Sequence, residues 1–256
     1  MCAKLSIFLI LIIKKRYIFA MDFVKLNKMN QIIEIFVSIW NTFFVRKCIV
    51  CGEPLSSNEK NICAECSKLY EYPEIKLNDE FFAPLRPYCS NICVLSWYSY
   101  TKKAIAGFKF REEIYEGKVL SNLLAKRLKN QSWINDIDYI VPVPLTKSSL
   151  KKRGFNQCEI IATIIGKQIN KPVLLNNLVR IKDSKSQHTS GREERYQNVK
   201  DSFEVVNPFV FESKNVLLID DVITTCSTLA ACCEALKKSQ DIEIFIGALA
   251  SDRENI

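Results

Sequence analysis

The sequence has no hydrophobic run that is long enough to cross a membrane. Its N-terminal apolar run covers only residues 5–13, whereas a membrane-spanning helix needs about twenty apolar residues. Lys14, Lys15 and Arg16 follow this run instead of preceding it, and no small-residue cleavage site is clear, so the support for a secretory signal is weak. We therefore expect a cytoplasmic protein. Contact of the basic-flanked run with a membrane surface is the weaker alternative.

Histidine is nearly absent, and no dedicated nucleophile is apparent. His188 is the only histidine. It lies in residues 181–200, a polar and basic stretch with little apolar periodicity, which we interpret as a long loop of the kind that serves as a lid or is disordered. Because a lone histidine in a loop is more often solvated than catalytic, we assign it no role.

The first residues of the chain are expected to stand apart from the rest. Met21 and Met29 offer later translation starts, and residues 30–44 have the pattern of a short amphipathic helix. We expect residues 1–29 to be a non-native or weakly ordered extension. Residues 30–70 are then a module made of that helix and the cysteine-rich segment after it.

Cysteine is abundant, with eleven residues in the chain. Two C-x2-C pairs, separated by eleven residues, supply the four thiolates of one tetrahedral zinc site. Disulfides, a redox pair and free core cysteines are the alternatives, but paired knuckles beside an α/β core favour a reducing compartment in which thiols bind metal. Cys89 and Cys93 are left outside the metal assignment. The predicted zinc ligands are Cys48, Cys51, Cys63 and Cys66.

Residues 216–228, which read V-L-L-I-D-D-V-I-T-T-C-S-T, are the strongest functional signal. An apolar run of strand type leads into two carboxylates and a hydroxyl-rich turn, ahead of a helix-like segment. Acids at the end of a strand can accept hydrogen bonds from a sugar diol, and hydroxyls with backbone N–H groups at a helix N-terminus can hold a phosphate. Helix capping needs only one such side chain, so the excess favours a ligand. The candidate ligand-binding residues here are Asp220, Asp221, Thr224, Thr225, Cys226, Ser227 and Thr228.

Two known families share these motifs. Residues 216–228 resemble the phosphoribosyl pyrophosphate motif of type I phosphoribosyltransferases. Ahead of that motif stand V-P-V-P at residues 141–144, R-G-F-N-Q at residues 153–157 and Q-x4-R-x2-R-x2-N at residues 187–198. In this order the motifs resemble the ComF family of competence-associated proteins, over about residues 97–253. Members of that family are similar to this chain also in having a short helix and a zinc ribbon ahead of the core.

The resemblance implies an α/β fold, with a type I phosphoribosyltransferase-like parallel sheet flanked by helices and a small N-terminal zinc-ribbon module. The apolar patterns agree, because strand-like runs alternate with helical ones as a doubly wound sheet requires. Ligand then binds at the carboxyl ends of the strands. The predicted strands are residues 139–143, 215–219 and 243–249, and the predicted helices are residues 115–129, 157–168 and 229–238.

The resemblance also implies a ligand, phosphoribosyl pyrophosphate or a related ribose phosphate, bound with Mg²⁺. A basic loop after the first strand then contacts the pyrophosphate through Lys152 and Arg153, since a guanidinium can grip phosphate bidentately. Arg192 and Arg195 would cover the pyrophosphate when the long loop closes. Cys226 stands where the family usually has glycine, so its Cβ is expected to strain the turn or crowd the ligand.

The amount and the distribution of positive charge predict an anionic partner. The formal net charge is +8, and residues 147–200 carry twelve Lys or Arg against four acids. Single-stranded DNA is a lower-ranked partner, because Phe155 and Tyr196 are the only aromatic residues of that stretch. The resemblance further implies a helicase-like partner in DNA uptake during natural transformation.

Three hypotheses remain open on the sequence. The first is a phosphoribosyltransferase with an unknown acceptor, displacing pyrophosphate from the anomeric carbon. The second is a non-catalytic ligand-binding adaptor of a DNA-uptake helicase, and the third is a zinc-ribbon protein that binds single-stranded DNA.

Overall fold

The computed structural model describes residues 46–70, 77–110, 114–182 and 199–252. Residues 1–45, with the predicted extension and amphipathic helix, lie outside the described residues, as do Arg192 and Arg195. Within the described ranges, no helix combines the length and the apolar character that crossing a membrane requires.

Six strands and six α-helices make up the described chain. The strands are β1 (Asn91–Trp97), β2 (Tyr139–Pro142), β3 (Leu178–Arg180), β4 (Phe203–Val205), β5 (Asn215–Ile223) and β6 (Glu243–Ser251). The helices are α1 (Ala64–Lys68), α2 (Tyr98–Phe110), α3 (Ile114–Lys129), α4 (Lys147–Arg153), α5 (Gln157–Ile169) and α6 (Ser227–Leu236).

Four of the strands form a parallel sheet in the order β1-β6-β5-β2, and β3 and β4 form a separate antiparallel pair. Parallel neighbours need crossover connections, and the helices between the strands supply them. The predicted α/β architecture, a parallel sheet flanked by helices, is therefore confirmed. Strand β1 was not predicted, and it extends the sheet to residues ahead of Trp97.

Helices cover both faces of the sheet, and the alternation of side chains along β5 reflects this. Leu217 and Ile219 belong to a core cluster shared with α2, α3 and α5. Val216 and Leu218 belong to a second cluster shared with α6 and the 3₁₀ turn Glu80–Leu85. A strand buried on both faces reads as a continuous apolar run, which is why its sequence pattern was easy to interpret.

Strand β5 is longer than its apolar run predicted. The expected end was residue 219, but Asp220 pairs in register with Ala248 of β6, and the pairing continues to Ile223 opposite Ser251. The long partner strand supplies the backbone hydrogen bonds that hold two acids in a strand despite their low strand propensity. The two carboxylates are therefore held on a rigid element.

The basic segment after β2 is helical, where a loop was expected. Thr146 caps α4, since its Oγ1 accepts a hydrogen bond from the Ser149 backbone N–H at 2.9 Å. Gly154 ends the helix with a φ of +78°, a conformation that glycine adopts without strain. Lysine and leucine between these two residues are good helix formers, which explains the helix.

The cysteine-rich module packs on the side of the sheet that α2 and α3 cover. Ile49 joins the core cluster of α2 and α3. Arg127 of α3 donates from Nη1 to the Val94 carbonyl at 2.6 Å and from Nη2 to the Tyr70 carbonyl at 2.7 Å. Because one guanidinium bonds to β1 and to the end of the module, Arg127 ties the two parts together.

Candidate functional site

The acid pair lies near the carboxyl end of β5, in the interior of the sheet. Asp220 is 9 % exposed and Asp221 is 4 % exposed. The end of β2 lies beside them, because the Val143 backbone N–H bonds to the Ile219 carbonyl at 2.9 Å. The segment that contains Pro144 and the acids therefore meet at one edge of the sheet, as parallel strands require.

Asp221 is held by two donors from different helices. Lys109 of α2 approaches its Oδ2 at 2.8 Å, and Gln157 Nε2 of α5 donates to the same oxygen at 2.7 Å. Burial lowers the pKa of Lys109, but the Asp221 carboxylate outweighs this effect and raises it above its usual value. The ammonium group is therefore charged and paired in a largely water-free place.

Asp220 has a different environment. Its Oδ1 accepts hydrogen bonds from the Asp221 backbone N–H at 2.8 Å and from the Cys158 thiol at 3.6 Å. Burial and the neighbouring Asp221 carboxylate raise the pKa of Asp220 to about 7, against the opposing effect of Lys109. Two adjacent buried carboxyl groups resist carrying two charges at once, which is why Asp220 holds its proton more tightly than an exposed aspartic acid does.

The turn after the acids leads directly into α6. Thr224 is exposed, Thr225 and Thr228 are half-buried, and the Thr225 and Ser227 hydroxyl oxygens lie 3.0 Å apart. The first N–H groups of a helix have no partner inside it and carry its positive dipole end. Hydroxyls and N–H groups, which can hold an anion, thus meet at the start of α6.

Cys226 adopts a left-handed backbone conformation, with a φ of +64°, at the N-cap of α6. This conformation costs a non-glycine residue about 1 kcal/mol or more. Cys226 is 3 % exposed, and its Sγ donates to the Phe81 carbonyl at 3.4 Å. The expected strain is present, and the side chain is directed at the 3₁₀ turn that contains Phe81.

The distinctive R-G-F-N-Q motif has a structural role that the sequence did not reveal. Asn156 caps α5 by accepting from the Cys158 N–H at 3.0 Å, and its Nδ2 donates to the Val143 carbonyl at 3.1 Å. Gln157, the next residue, reaches Asp221 as described above. The motif therefore joins the end of β2 and the start of α5 to the acid pair.

The basic residues of α4 lie on the outer side of this region. Lys152 is exposed and Arg153 is half-buried. A cavity of about 260 Å³ lies against the same helix and the end of β2, with Pro142, Asn156 and Arg180 among its lining residues. Neither acid of β5 lines this cavity, so it is a separate recess at the edge of the sheet.

The four predicted zinc ligands form one cluster. Their sulfur atoms all lie within 4.8 Å of one another, and the Cys51 and Cys63 sulfurs are 3.8 Å apart. A tetrahedral ion with sulfur bonds of about 2.3 Å requires sulfur–sulfur edges of about 3.8 Å. The cluster can hold a metal ion, and its four-thiolate donor set fits zinc.

Backbone groups support the cluster as they do in a metal knuckle. The Cys63 N–H donates to Cys48 Sγ at 3.4 Å, and the Cys66 N–H donates to Cys63 Sγ at the same distance. Burial raises the pKa of the Cys48 thiol, but such backbone donors outweigh it and lower the value to about 7. Burial and the neighbouring thiols raise the pKa of Cys66. Four crowded thiols cannot all ionise without a cation among them.

Cys89 and Cys93 lie away from this cluster. Both are buried, Cys89 in the cluster of α6 and Cys93 on β1 in the cluster of α2 and α3. Both side chains pack in the hydrophobic core.

Comparison with curated proteins identifies relatives over most of the chain. Competence protein F of Haemophilus influenzae is 28% identical over 225 residues, which cover 81% of this chain and 98% of that protein. Competence protein ComFC of Bacillus subtilis is 28% identical, over 71% of this chain and 68% of its own length. This chain is a homologue of the ComF competence proteins. DNA utilization protein YhgH of Escherichia coli is a further relative, 23% identical over 75% of this chain and 84% of its own.

No protein-family model matches the chain. Solved structures similar to it include adenine phosphoribosyltransferase from Trypanosoma brucei, with a TM-score of 0.37 and 14% identity over 57% of this chain and 56% of that enzyme. The enzyme from Leishmania tarentolae has a TM-score of 0.36 and 14% identity over 57% of this chain and 75% of its own. These scores are low, and the fold of this ComF homologue is defined by its own sheet order and register.

Sequence reasoning missed three residues that contact the acid pair in this ComF homologue. Lys109, Gln157 and Cys158 all do so from helices. Gln157 belongs to the R-G-F-N-Q motif, but its partner Asp221 is 64 residues away in the sequence. Lys109 carried no signal at all, because a lysine at the end of an amphipathic helix is ordinarily solvated.

Proposed function

We propose that this ComF homologue binds phosphoribosyl pyrophosphate with Mg²⁺ and acts in DNA uptake as a phosphoribosyltransferase-like protein. The observation that carries the proposal is the buried pair Asp220–Asp221 near the end of an interior strand, followed within a few residues by a hydroxyl-rich turn and a helix N-terminus. The role in DNA uptake is inferred from the names of its competence relatives.

The acids suit a ribose diol. Among the described residues, no group donates a hydrogen bond to Asp220 Oδ2 or to Asp221 Oδ1. Each carboxylate thus keeps one oxygen for a ligand while its other oxygen is held by the protein. Two such oxygens, on neighbouring residues of a rigid strand, can accept hydrogen bonds from two adjacent hydroxyl groups.

The turn suits the 5-phosphate of the same ligand. Thr224, Thr225, Ser227 and Thr228 would contact it together with the first N–H groups of α6, which favour an anion. Cys226 contributes its backbone N–H at the left-handed position, and because its sulfur contacts Phe81, the side chain leaves the turn open. Lys152 and Arg153, and Arg192 and Arg195 outside the described residues, would contact the pyrophosphate.

Mg²⁺ bound with the ligand would take most of its oxygen ligands from the substrate and water, and it would offset the ligand's negative charge. In a transferase the chain's own contribution would be positioning and electrostatic stabilisation.

Calorimetry with phosphoribosyl pyrophosphate and Mg²⁺ tests the proposal, using the wild type and Asp220→Asn. The amide oxygen of asparagine can still accept from the Asp221 N–H, whereas a change at Asp221 would leave buried Lys109 without its counter-ion. Removing a charged acceptor costs about 1.5–3 kcal/mol, so we expect the affinity to fall by about tenfold or more.

Asp241→Asn is the matched control. Asp241 is exposed, precedes β6 at the opposite edge of the sheet and has a φ of +52°, which asparagine tolerates. Absence of binding by the wild type, or equal losses in both variants, would contradict the proposal. Release of pyrophosphate on addition of amines or bases would assign a transferase, and tight binding without release would assign an adaptor.

A further inference from the structure

Lys109 occupies an unusual position for a lysine. It lies near the C-terminal end of α2, and its side chain is 17% exposed. Burying an ammonium group is unfavourable unless it is paired, and its pairing with Asp221 at 2.8 Å offsets that cost. The neighbouring lysines of the same helix, Lys102 and Lys103, are exposed. The chain therefore directs one lysine of this helix inward, to the acid pair.

The positive charge of Lys109 affects the protonation of the two acids. Two adjacent carboxylates in a buried place repel each other, and one positive charge in contact with the pair relieves that repulsion. Lys109 also lowers the pKa of Asp220, which burial and Asp221 raise to about 7. Without the ammonium group the pKa of Asp220 would rise further, so that Asp220 would hold its proton at neutral pH. A protonated carboxyl group is a poor acceptor for sugar hydroxyls.

The other groups that face the acids do not replace this charge. Gln157 of α5 is neutral. The thiols of Cys158 in α5 and Cys232 in α6 are the remaining titratable groups beside Asp220, and burial raises the pKa of each well above its ordinary value. Among the described residues that contact the pair, Lys109 is thus the cation.

We propose that Lys109 is a positioning residue for ligand binding, which fixes Asp221 in place and favours the ionised form of Asp220, so that the pair accepts hydrogen bonds from a ribose diol. This inference rests on the proposed binding of phosphoribosyl pyrophosphate. It adds a residue from α2 to a site otherwise built from β5 and the turn after it. Since α2 also packs against the cysteine-rich module, the inference places that module within one helix of the ligand.

The test is the pH dependence of ligand affinity in Lys109→Met and Lys109→Arg. We expect Lys109→Met to bind phosphoribosyl pyrophosphate and Mg²⁺ at least about tenfold more weakly near pH 7, and to recover affinity as the pH rises by about one to two units. The sign follows because removal of the cation raises the pKa of Asp220, and the form with Asp220 ionised is the one that binds. Lys109→Arg keeps the charge and should keep the midpoint of the wild type.

Lys102→Met, on the exposed side of the same helix, is the control for helix stability. The ligand's own titration is common to all variants, so only differences between them count. A purely structural role for Lys109 would lower affinity equally at every pH, and that outcome would overturn the inference.

Carbon-13 NMR of the aspartate carboxyl groups without ligand supplies an independent measurement. Lys109→Met should shift the titration of Asp220 upward, and an unshifted titration would overturn the inference even if the wild type binds the ligand. Absence of binding by the wild type at any pH, with the NMR shift present, would instead reject the proposed function and with it the ligand role of Lys109.

Discussion

The cysteine-rich module and the parallel sheet are stabilised in different ways. In residues 46–70, three residues, Cys48, Ile49 and Cys66, are buried apolar ones, and two of these are predicted metal ligands. The sheet, in contrast, lies between two large apolar clusters. A segment of this size cannot bury enough apolar surface to fold by itself, so we expect a metal ion held by the four thiols to supply the missing free energy. The apolar clusters stabilise the sheet without a metal ion. Their stabilisation also offsets the cost of burying charged groups at the carboxyl ends of the strands.

Metal removal should have the largest effect, and it should affect the module and not the sheet. Structural zinc binding contributes about 10 kcal/mol or more, so chelation or Cys66→Ser should unfold the module, while the circular dichroism of the sheet and helices largely persists. Metal content by atomic absorption and amide NMR of residues 46–70 provide the measurements.

Ser67→Ala, at an exposed neighbouring position, should retain both metal and structure. A cooperative loss of the whole fold on chelation would show that the two regions unfold as a single unit, and would contradict their separate stabilisation.

Arg127 lies at the joint between the two regions, and its removal should have an intermediate effect. Arg127→Met loses charged hydrogen bonds to the Tyr70 and Val94 carbonyls, and we expect the free energy of unfolding to fall by about 2–3 kcal/mol. Urea denaturation measures this. Lys126→Met, exposed on the same helix, should change the value by less than about 0.5 kcal/mol. Similar losses in both variants would mean that Arg127 does not join the regions.

Substitution of Cys226 should have the smallest effect on stability, and it measures the backbone strain in the turn before α6. Cys226→Ala and Cys226→Gly both lose the buried sulfur, but only glycine relieves the backbone at a φ of +64°. We therefore expect the glycine variant to be more stable than the alanine variant by about 1 kcal/mol in urea denaturation. An alanine variant of equal or higher stability would show that the turn is not strained.

Local patterns sufficed for much of this protein. The two C-x2-C pairs identified a four-thiol cluster, because two cysteines three residues apart in a tight turn lie close together and two such pairs supply the four ligands of one tetrahedral ion. Continuous apolar runs located β2, β5 and β6, because strands buried on both faces need apolar residues throughout. The pair Asp220–Asp221 stood out because no apolar strand needs two adjacent acids. The placement of Arg192 and Arg195 as ligands remains a prediction.

Other features depended on residues that are distant in the chain. The extension of β5 to Ile223 is decided by its pairing with β6, and the contacts of Lys109 and Gln157 with Asp221 by the packing of α2 and α5 on the sheet. A lysine in a helix carries no local sign of whether its charge will meet solvent or a buried carboxylate. The sequence by itself determined which groups are present at the site, and the tertiary structure decided their charge and orientation, because both depend on burial and on neighbours that only folding brings together.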